Sequence, residues 1–344
     1  MYKKFSSVMA LLMITTILLA ACRTAAPTEA DCPKAEVLCV GLVTGLDGID
    51  DKFFNQTAWE GVLKAQTEKV ADWVRYIETV DAKDYDKNIA TFAEAGYDII
   101  VTVGSNLGEA TTTTAKSFPN ILFIGVDQSQ DEIFPNLVGL VFHEDQSGFL
   151  AGALAAQMTK TNTIAVVLGS NTVPSVVALK EGYEAGAKYI NPKINTIATY
   201  YPGDSEAAFT DPRWGASTAA QAIQNSADVI LVASGRTGNG ALIEVASHPG
   251  LYCIGVDTDQ WETVPNAHPC LISSAMKLVT PGVFDLIKLA KDGTFPTGNY
   301  FGASGLAPFH DFDSVIPQAV KDKISQITSG LSGGSINTGY NPGG

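Results

Sequence analysis

Short apolar, β-branched runs alternate with amphipathic stretches almost without interruption along this chain, and no other feature restricts its fold as much. The runs fall at Val37–Thr44, Trp73–Val80, Asp98–Val103, Ile121–Val126 and Leu137–Phe142. They recur at Ile164–Leu168, Ile194–Tyr200, Val229–Val232, Leu251–Val256 and Leu271–Met276. Between them lie helical patterns such as Phe54–Val70 and Tyr85–Ala95. A strand that is apolar on both faces must be covered on both faces, so strands of this kind separated by helices predict parallel sheets between helical layers. About ten such strands exceed what one small sheet carries, which predicts two α/β domains. The second series starts after the helix expected at Asp145–Lys160, and the chain is expected to return to the first domain near Leu271. The expected lobes are residues 37–144 plus 271–310 and residues 145–270 plus 311–330. Residues 331–344 read as a disordered tail in which only Tyr340 is suited to dock.

The N-terminus follows other rules. Lys3 and Lys4 precede Val8–Ala20, an apolar run of 13 residues that is too short to span a bilayer, where about 20 are needed. Leu19-Ala20-Ala21-Cys22 resembles a bacterial lipobox, which implies a cleaved signal over 1–22, a diacylated Cys22 and a polar tether over 23–36. Acyl chains contribute roughly 0.8 kcal/mol per buried methylene, so such a group would hold the protein at a membrane surface outside the cytoplasm. Formal charge is −14, or −16 without Lys3 and Lys4 (20 basic against 36 acidic residues), which argues against a nucleic-acid partner. Cys32, Cys39, Cys253 and Cys270 allow three pairings in an exported chain. Cys32–Cys39 and Cys253–Cys270 are favoured because each closes a short loop, and four buried thiols are the other reading. No metal or cofactor is expected, since the cysteine spacings are not metal-like and His143, His248, His268 and His310 are scattered.

In open α/β sheets ligands bind beyond the carboxyl ends of the strands, and polar residues gather there in this chain. The first strand runs into Gly45-Leu46-Asp47-Gly48-Ile49-Asp50-Asp51, then Phe53-Phe54-Asn55 opens a helix. Phe54 is suited to stack on a planar ligand and Asn55 to give it a donor and an acceptor. Gly104-Ser105-Asn106, Gly125-Val126-Asp127-Gln128, Ser234-Gly235-Arg236-Thr237-Gly238 and Gly255-Val256-Asp257-Thr258-Asp259-Gln260 end later strands. Asp127 and Asp257 are acceptors for ribose diols or ring N–H groups, and the glycine turn at Gly235 lets backbone amides approach a ligand. Lys277 follows the last strand and can donate to a ligand hydroxyl or pair with Asp257.

The segments VGLVTGLDGIDDKFFNQTAWEGV, NLVGLVFHEDQSGFLAGALAAQMTKT, ALKEGYEAGAKYINPKI, SGRTGNG and GVDTDQ together resemble the basic membrane protein family of substrate-binding lipoproteins, which includes purine-nucleoside receptors. The resemblance covers nearly all of the chain beyond the tether. It implies a type I periplasmic-binding-protein fold, with two doubly wound parallel sheets joined by a three-segment hinge. It also implies a monomer that hands a purine nucleoside to an ABC permease. By that resemblance Phe54 stacks on the base beside Asn55, while Asp127, Asp257 and Lys277 hold base and ribose. This chain departs from the pattern at Gly45, where the family usually carries Asp, and at Phe53, where it carries Ser. Asp47 is the candidate substitute for the missing carboxylate, and Arg236 adds a charge where the family is smaller. Trp214, Trp261 and Leu242 are candidates for a second stacking residue. A sensor of the same fold for a flavin or a sugar is the alternative. Gly48-Ile49-Asp50-Asp51 resembles the end of the calcium motif of nucleoside hydrolases, but Thr44 and Leu46 stand where that motif needs acids, so no enzyme is expected.

Overall fold

The computed structural model describes residues 26–52, 54–203 and 207–341; Cys22, the apolar run before it and Phe53 lie outside them. Two six-stranded sheets carry the fold. In the first, β1 (Cys39–Val43), β2 (Trp73–Ile77), β3 (Ile99–Val103), β4 (Leu122–Val126), β5 (Leu137–Phe142) and β11 (Gly298–Gly302) lie in the order 11-5-4-3-1-2, all parallel. In the second, β6 (Thr163–Leu168), β7 (Asn195–Tyr200), β8 (Val229–Ala233), β9 (Tyr252–Asp257), β10 (Leu271–Lys277) and β12 (Ser304–Leu306) lie in the order 12-10-9-8-6-7. Only β12 runs antiparallel there. Both sheets therefore have the same winding, with a short edge strand added late in the chain.

Helices cover both faces of each sheet, as wholly buried strands such as β1, β3 and β8 require. α1 (Phe54–Thr67) and α9 (Val279–Lys291) pack on one face of the first sheet, and α2 (Tyr85–Glu94) and α3 (Gly108–Ser117) on the other. On the second sheet, α4 (Glu144–Met158), α5 (Pro174–Ile190) and α10 (Gln318–Ser332) share one face. α6 (Pro212–Gln224) and α7 (Gly235–Ala246) share the other, and the short α8 (Gln260–Thr263) follows β9. α4 and α5 cross so closely that a Cβ on Gly152 would meet the Tyr183 carbonyl at 1.9 Å and one on Gly186 the Phe149 carbonyl at 1.9 Å. No larger residue fits either position without separating the pair.

Among the described residues the chain passes between the sheets three times, at His143, Leu278 and Ala303. The Leu278 amide donates to the Ala303 carbonyl (2.9 Å) and Ser304 Oγ to the His143 carbonyl (3.1 Å), so the three crossings lie side by side as one hinge. These crossings correct the expected boundaries. β10 pairs with β9 in the second sheet, and return to the first lobe comes after Lys277, not before Leu271. The hydrophobic run at Leu271–Met276 carried no sign of which sheet would take it. β11 and β12 were not expected, because Gly298–Gly302 and Ser304–Leu306 are glycine-rich and lack β-branched residues. In the expected disordered tail, of which residues 331–341 are described, Leu331 is buried, Ile336 lies against the core under α4 and α5, and Thr338 Oγ1 donates to Asp145 Oδ2 at 2.5 Å. Cys32 is bonded to Cys39, and Cys253 to Cys270.

Candidate functional site

The carboxyl ends of the two sheets face each other across a cavity of about 160 Å³. Asp51 sets its first wall. The Asp51 carboxylate accepts the amides of Phe54 (3.1 Å), Asn55 (2.8 Å) and Gln56 (3.1 Å), closing the first turn of α1 in the way an acid at a helix start does. That bond set fixes where Phe54 and Asn55 leave the backbone. The Asn55 side-chain carbonyl accepts the Gly45 amide at 3.2 Å, tying the β1 loop to the helix. Phe54 packs against the cores of both lobes.

Two strand ends supply matching acids. Asp127 after β4 and Asp257 at the end of β9 both adopt left-handed backbone, at φ +57° and +64°. Asp tolerates this region better than most residues because its short side chain can bond locally. Lys277 lies between the two acids with its side chain only 5% exposed. Its Nζ is 2.5 Å from Asp127 Oδ2, 3.3 Å from Glu144 and 3.6 Å from Asp257, and 5.3 Å from the centre of the Phe54 ring. Lys277 therefore pairs more tightly with Asp127 across the hinge than with Asp257 in its own lobe. Burial pushes Asp257 up to about 6 against the pull of Lys277. Burial, with Asp127 adding to it, pushes Glu144 up to about 7. Burial disfavours the charge on Lys277, but Asp127, Asp257 and Glu144 together outweigh it and raise its pKa above the usual lysine range.

All nine residues singled out in the sequence line this one cavity: Asp47, Phe54, Asn55, Asn106, Asp127, Gly235, Arg236, Asp257 and Lys277. Burial raises the Asp47 carboxyl, with the Arg236 charge pulling it back down. Asp47 Oδ1, Asp127 Oδ1 and Ser234 Oγ are buried with no hydrogen-bond partner among the described residues. Buried polar atoms are nearly always paired, so three orphans around one cavity mark where a polar ligand would be held. The candidates for a second aromatic lie elsewhere. Trp214 packs edge-on against Tyr201, Trp261 stacks on His268, and Leu242 is fully buried. Phe209 lines the cavity instead, and its ring occupies the space a Cβ on Gly169 would need. It follows β7 beyond Pro202-Gly203, so an aromatic past a strand end and a glycine-containing turn was the available signal.

A family model described as ABC transporter substrate-binding protein PnrA-like matches residues 40–304. The chain belongs to this family. Basic membrane protein A of Borreliella burgdorferi is 32% identical over 333 residues, covering 94% of this chain and 93% of the relative. The ABC transporter nucleoside-binding protein BmpA of Lactococcus lactis subsp. cremoris is 29% identical over 316 residues, covering 87% and 88%. A solved ABC transporter solute-binding protein from Aeropyrum pernix K1 superposes with a TM-score of 0.75 at 21% identity, covering 87% of this chain and 92% of that one. That likeness shows the type I periplasmic-binding-protein fold. As a PnrA-like protein, the chain is an extracytoplasmic substrate-binding protein of ABC transport, a family of binding proteins and not of enzymes. Among the described residues no helix is long and apolar enough to cross a membrane.

Proposed function

We propose that this PnrA-like protein captures a purine nucleoside between its lobes and presents it, as a monomer, to an ABC permease. The cleft itself carries the reading, because one aromatic ring packed against both lobes stands beside a buried lysine and three unpartnered oxygens. A flat base suits the space by Phe54 and Phe209, where stacking contributes roughly 1–3 kcal/mol per base. Ribose hydroxyls suit Asp127, Asp257 and Lys277, at about 1.5–3 kcal/mol for each hydrogen bond to a charged group. The named nucleoside-binding relative supports the same ligand class. Asp47 takes the part of the carboxylate missing at Gly45. Tethering through a lipid on Cys22, at the outer side of the cell membrane, rests on Leu19-Ala20-Ala21-Cys22.

Capture needs no chemistry. Ligand settles on one lobe, the three-segment hinge closes, and contacts from both lobes hold the closed form that the permease reads. Ligand shifts this balance only by its greater affinity for the closed state.

The test is isothermal titration calorimetry on residues 23–344, refolded to strip carried-over ligand. The titrants are adenosine, guanosine, inosine, cytidine, riboflavin and ribose. Purine nucleosides bind at micromolar concentration or tighter and ribose stays silent. Riboflavin binding with silent nucleosides would transfer the site to a flavin, and silence to every titrant would overturn the ligand assignment.

A further inference from the structure

His268 and His310 stand far apart in the sequence, yet the fold sets both imidazoles parallel to the indole of Trp261. Their ring centres lie 3.7 and 4.8 Å from it, with interplanar angles of 5° and 11°. Beside His310 are two acids from the segment that follows β9, Asp259 at the start of α8 and Glu262 within it. One oxygen of Asp259 accepts the Trp261 amide at 3.2 Å, which turns the other toward His310 Nε2 at 2.7 Å. Donor atoms of Asp259, Glu262 and His310 all lie within 4.8 Å of one another, the one such group among the described residues. From this geometry we infer that Asp259, Glu262 and His310 form a binding site for a borderline divalent cation, zinc being the best match.

The donor set makes the choice. Imidazole is a good ligand for Zn²⁺, Cu²⁺ and Ni²⁺ and a poor one for Ca²⁺ or Mg²⁺, which prefer all-oxygen shells. One nitrogen and two carboxylate oxygens leave a fourth tetrahedral position for water. Ligand bonds of 2.0–2.2 Å put donors roughly 3.4 Å apart, so a separation as wide as 4.8 Å closes by about 1.4 Å while the 2.7 Å contact between Asp259 and His310 opens to admit the ion. Glu262 is exposed and on a flexible side chain, and it makes most of that movement. His310 and Asp259 are already aimed, the ring by its stack on Trp261 and the carboxylate by its bond to the helix amide; such supports normally fix metal ligands. The bound cation ties the turn at His310–Phe312, just beyond the third crossing, to the segment that begins two residues after Asp257. The site lies outside the nucleoside cleft and does not rest on the reading of that cleft.

The test is titration of EDTA-stripped residues 23–344, which omit the Cys22 thiol, with ZnCl2 by calorimetry and chelator competition. One site is expected, weakened at least tenfold by Glu262→Gln and again by His310→Asn. Asn tolerates the left-handed backbone at position 310 (φ +46°), and circular dichroism checks that the variant folds. CuCl2 quenches the emission of the wild type, and less so in Trp261→Phe. Adenosine affinity of Glu262→Gln stays at the wild-type value. No zinc site in the wild type would overturn the inference. So would full affinity in both variants, which would point to His248 and Glu244, 3.0 Å apart on α7 and the residues just after it.

Discussion

The turns after β4 and β9 are the same device built twice, once in each lobe. Gly125-Val126-Asp127-Gln128 and Gly255-Val256-Asp257-Thr258-Asp259-Gln260 both hold an Asp at positive φ and both fold a glutamine back over a glycine. A Cβ on Gly125 would stand 2.9 Å from Gln128 Cβ, and one on Gly255 2.6 Å from Ser274 Oγ and 3.0 Å from Gln260 Cβ, so the glycine leaves room for the folded-back glutamine in each. Gln128 bonds Thr102 Oγ1 and the Gly104 carbonyl at 3.0 Å, while Gln260 bonds the Val256 amide (2.8 Å) and Asn239 (2.9 Å). The second turn is two residues longer, and that extra length supplies Asp259, which turns away from the cleft toward His310. The turns also differ in charge balance, since Lys277 is 2.5 Å from Asp127 but 3.6 Å from Asp257. One lysine in the hinge thus serves two acids unequally, and lobe 1 holds the tighter end.

Removing Lys277 breaks the comparison most severely. Lys277→Met leaves three carboxylates buried without their cation, and removing one partner of a buried pair costs roughly 3–5 kcal/mol. Urea unfolding should show a loss of that order, with adenosine binding lost as well; a fully stable variant would mean the acids are neutral or solvated. Next, Asp127→Ala and Asp257→Ala should each weaken adenosine at least tenfold, Asp127→Ala more so because it holds the shorter bond. Equal losses by calorimetry would show that the two turns contribute alike. Phe54→Ala and Phe209→Ala each cost about tenfold, and Trp214→Ala costs nothing. A loss confined to Trp214→Ala would return the second stacking position to that residue.

Titration sharpens the same contrast. Glu144 is pushed up to about 7 and Asp257 to about 6 by burial, each above its unfolded value, so between those limits the folded state binds more protons. Their contribution is fully present below the unfolded carboxylate range near pH 4 and is lost as pH rises through 6 to 7. The melting temperature of Glu144→Gln, measured from pH 5 to 8, should therefore gain on the wild type as pH rises. A constant difference would show that Glu144 does not titrate in this window. The smallest effect belongs to Gly45→Asp, where a Cβ meets nothing closer than 3.5 Å. It should change adenosine affinity only a few-fold if Asp47 already fills that part; a large gain would show that it does not.

Local sequence determined the first ten strands and the polar residues at their ends, though not β11 and β12. Runs apolar on both faces must be buried in parallel sheets, and left-handed or closely approached positions select residues such as Gly and Asp. Of the nine candidates that line the cavity, Asp127, Gly235 and Asp257 stand at positive φ, and the others were picked out by their place beyond a strand end. Which sheet receives Leu271–Lys277, that three crossings join side by side, and that the tail packs under α4 and α5 were decided by tertiary structure. A buried strand reads the same in either lobe, because its pattern records that it is covered and not by what. The same holds for Phe209, Glu144 and the His310 group. Their neighbours come from other segments, and the distances that give them a shared chemistry exist only after the chain has folded.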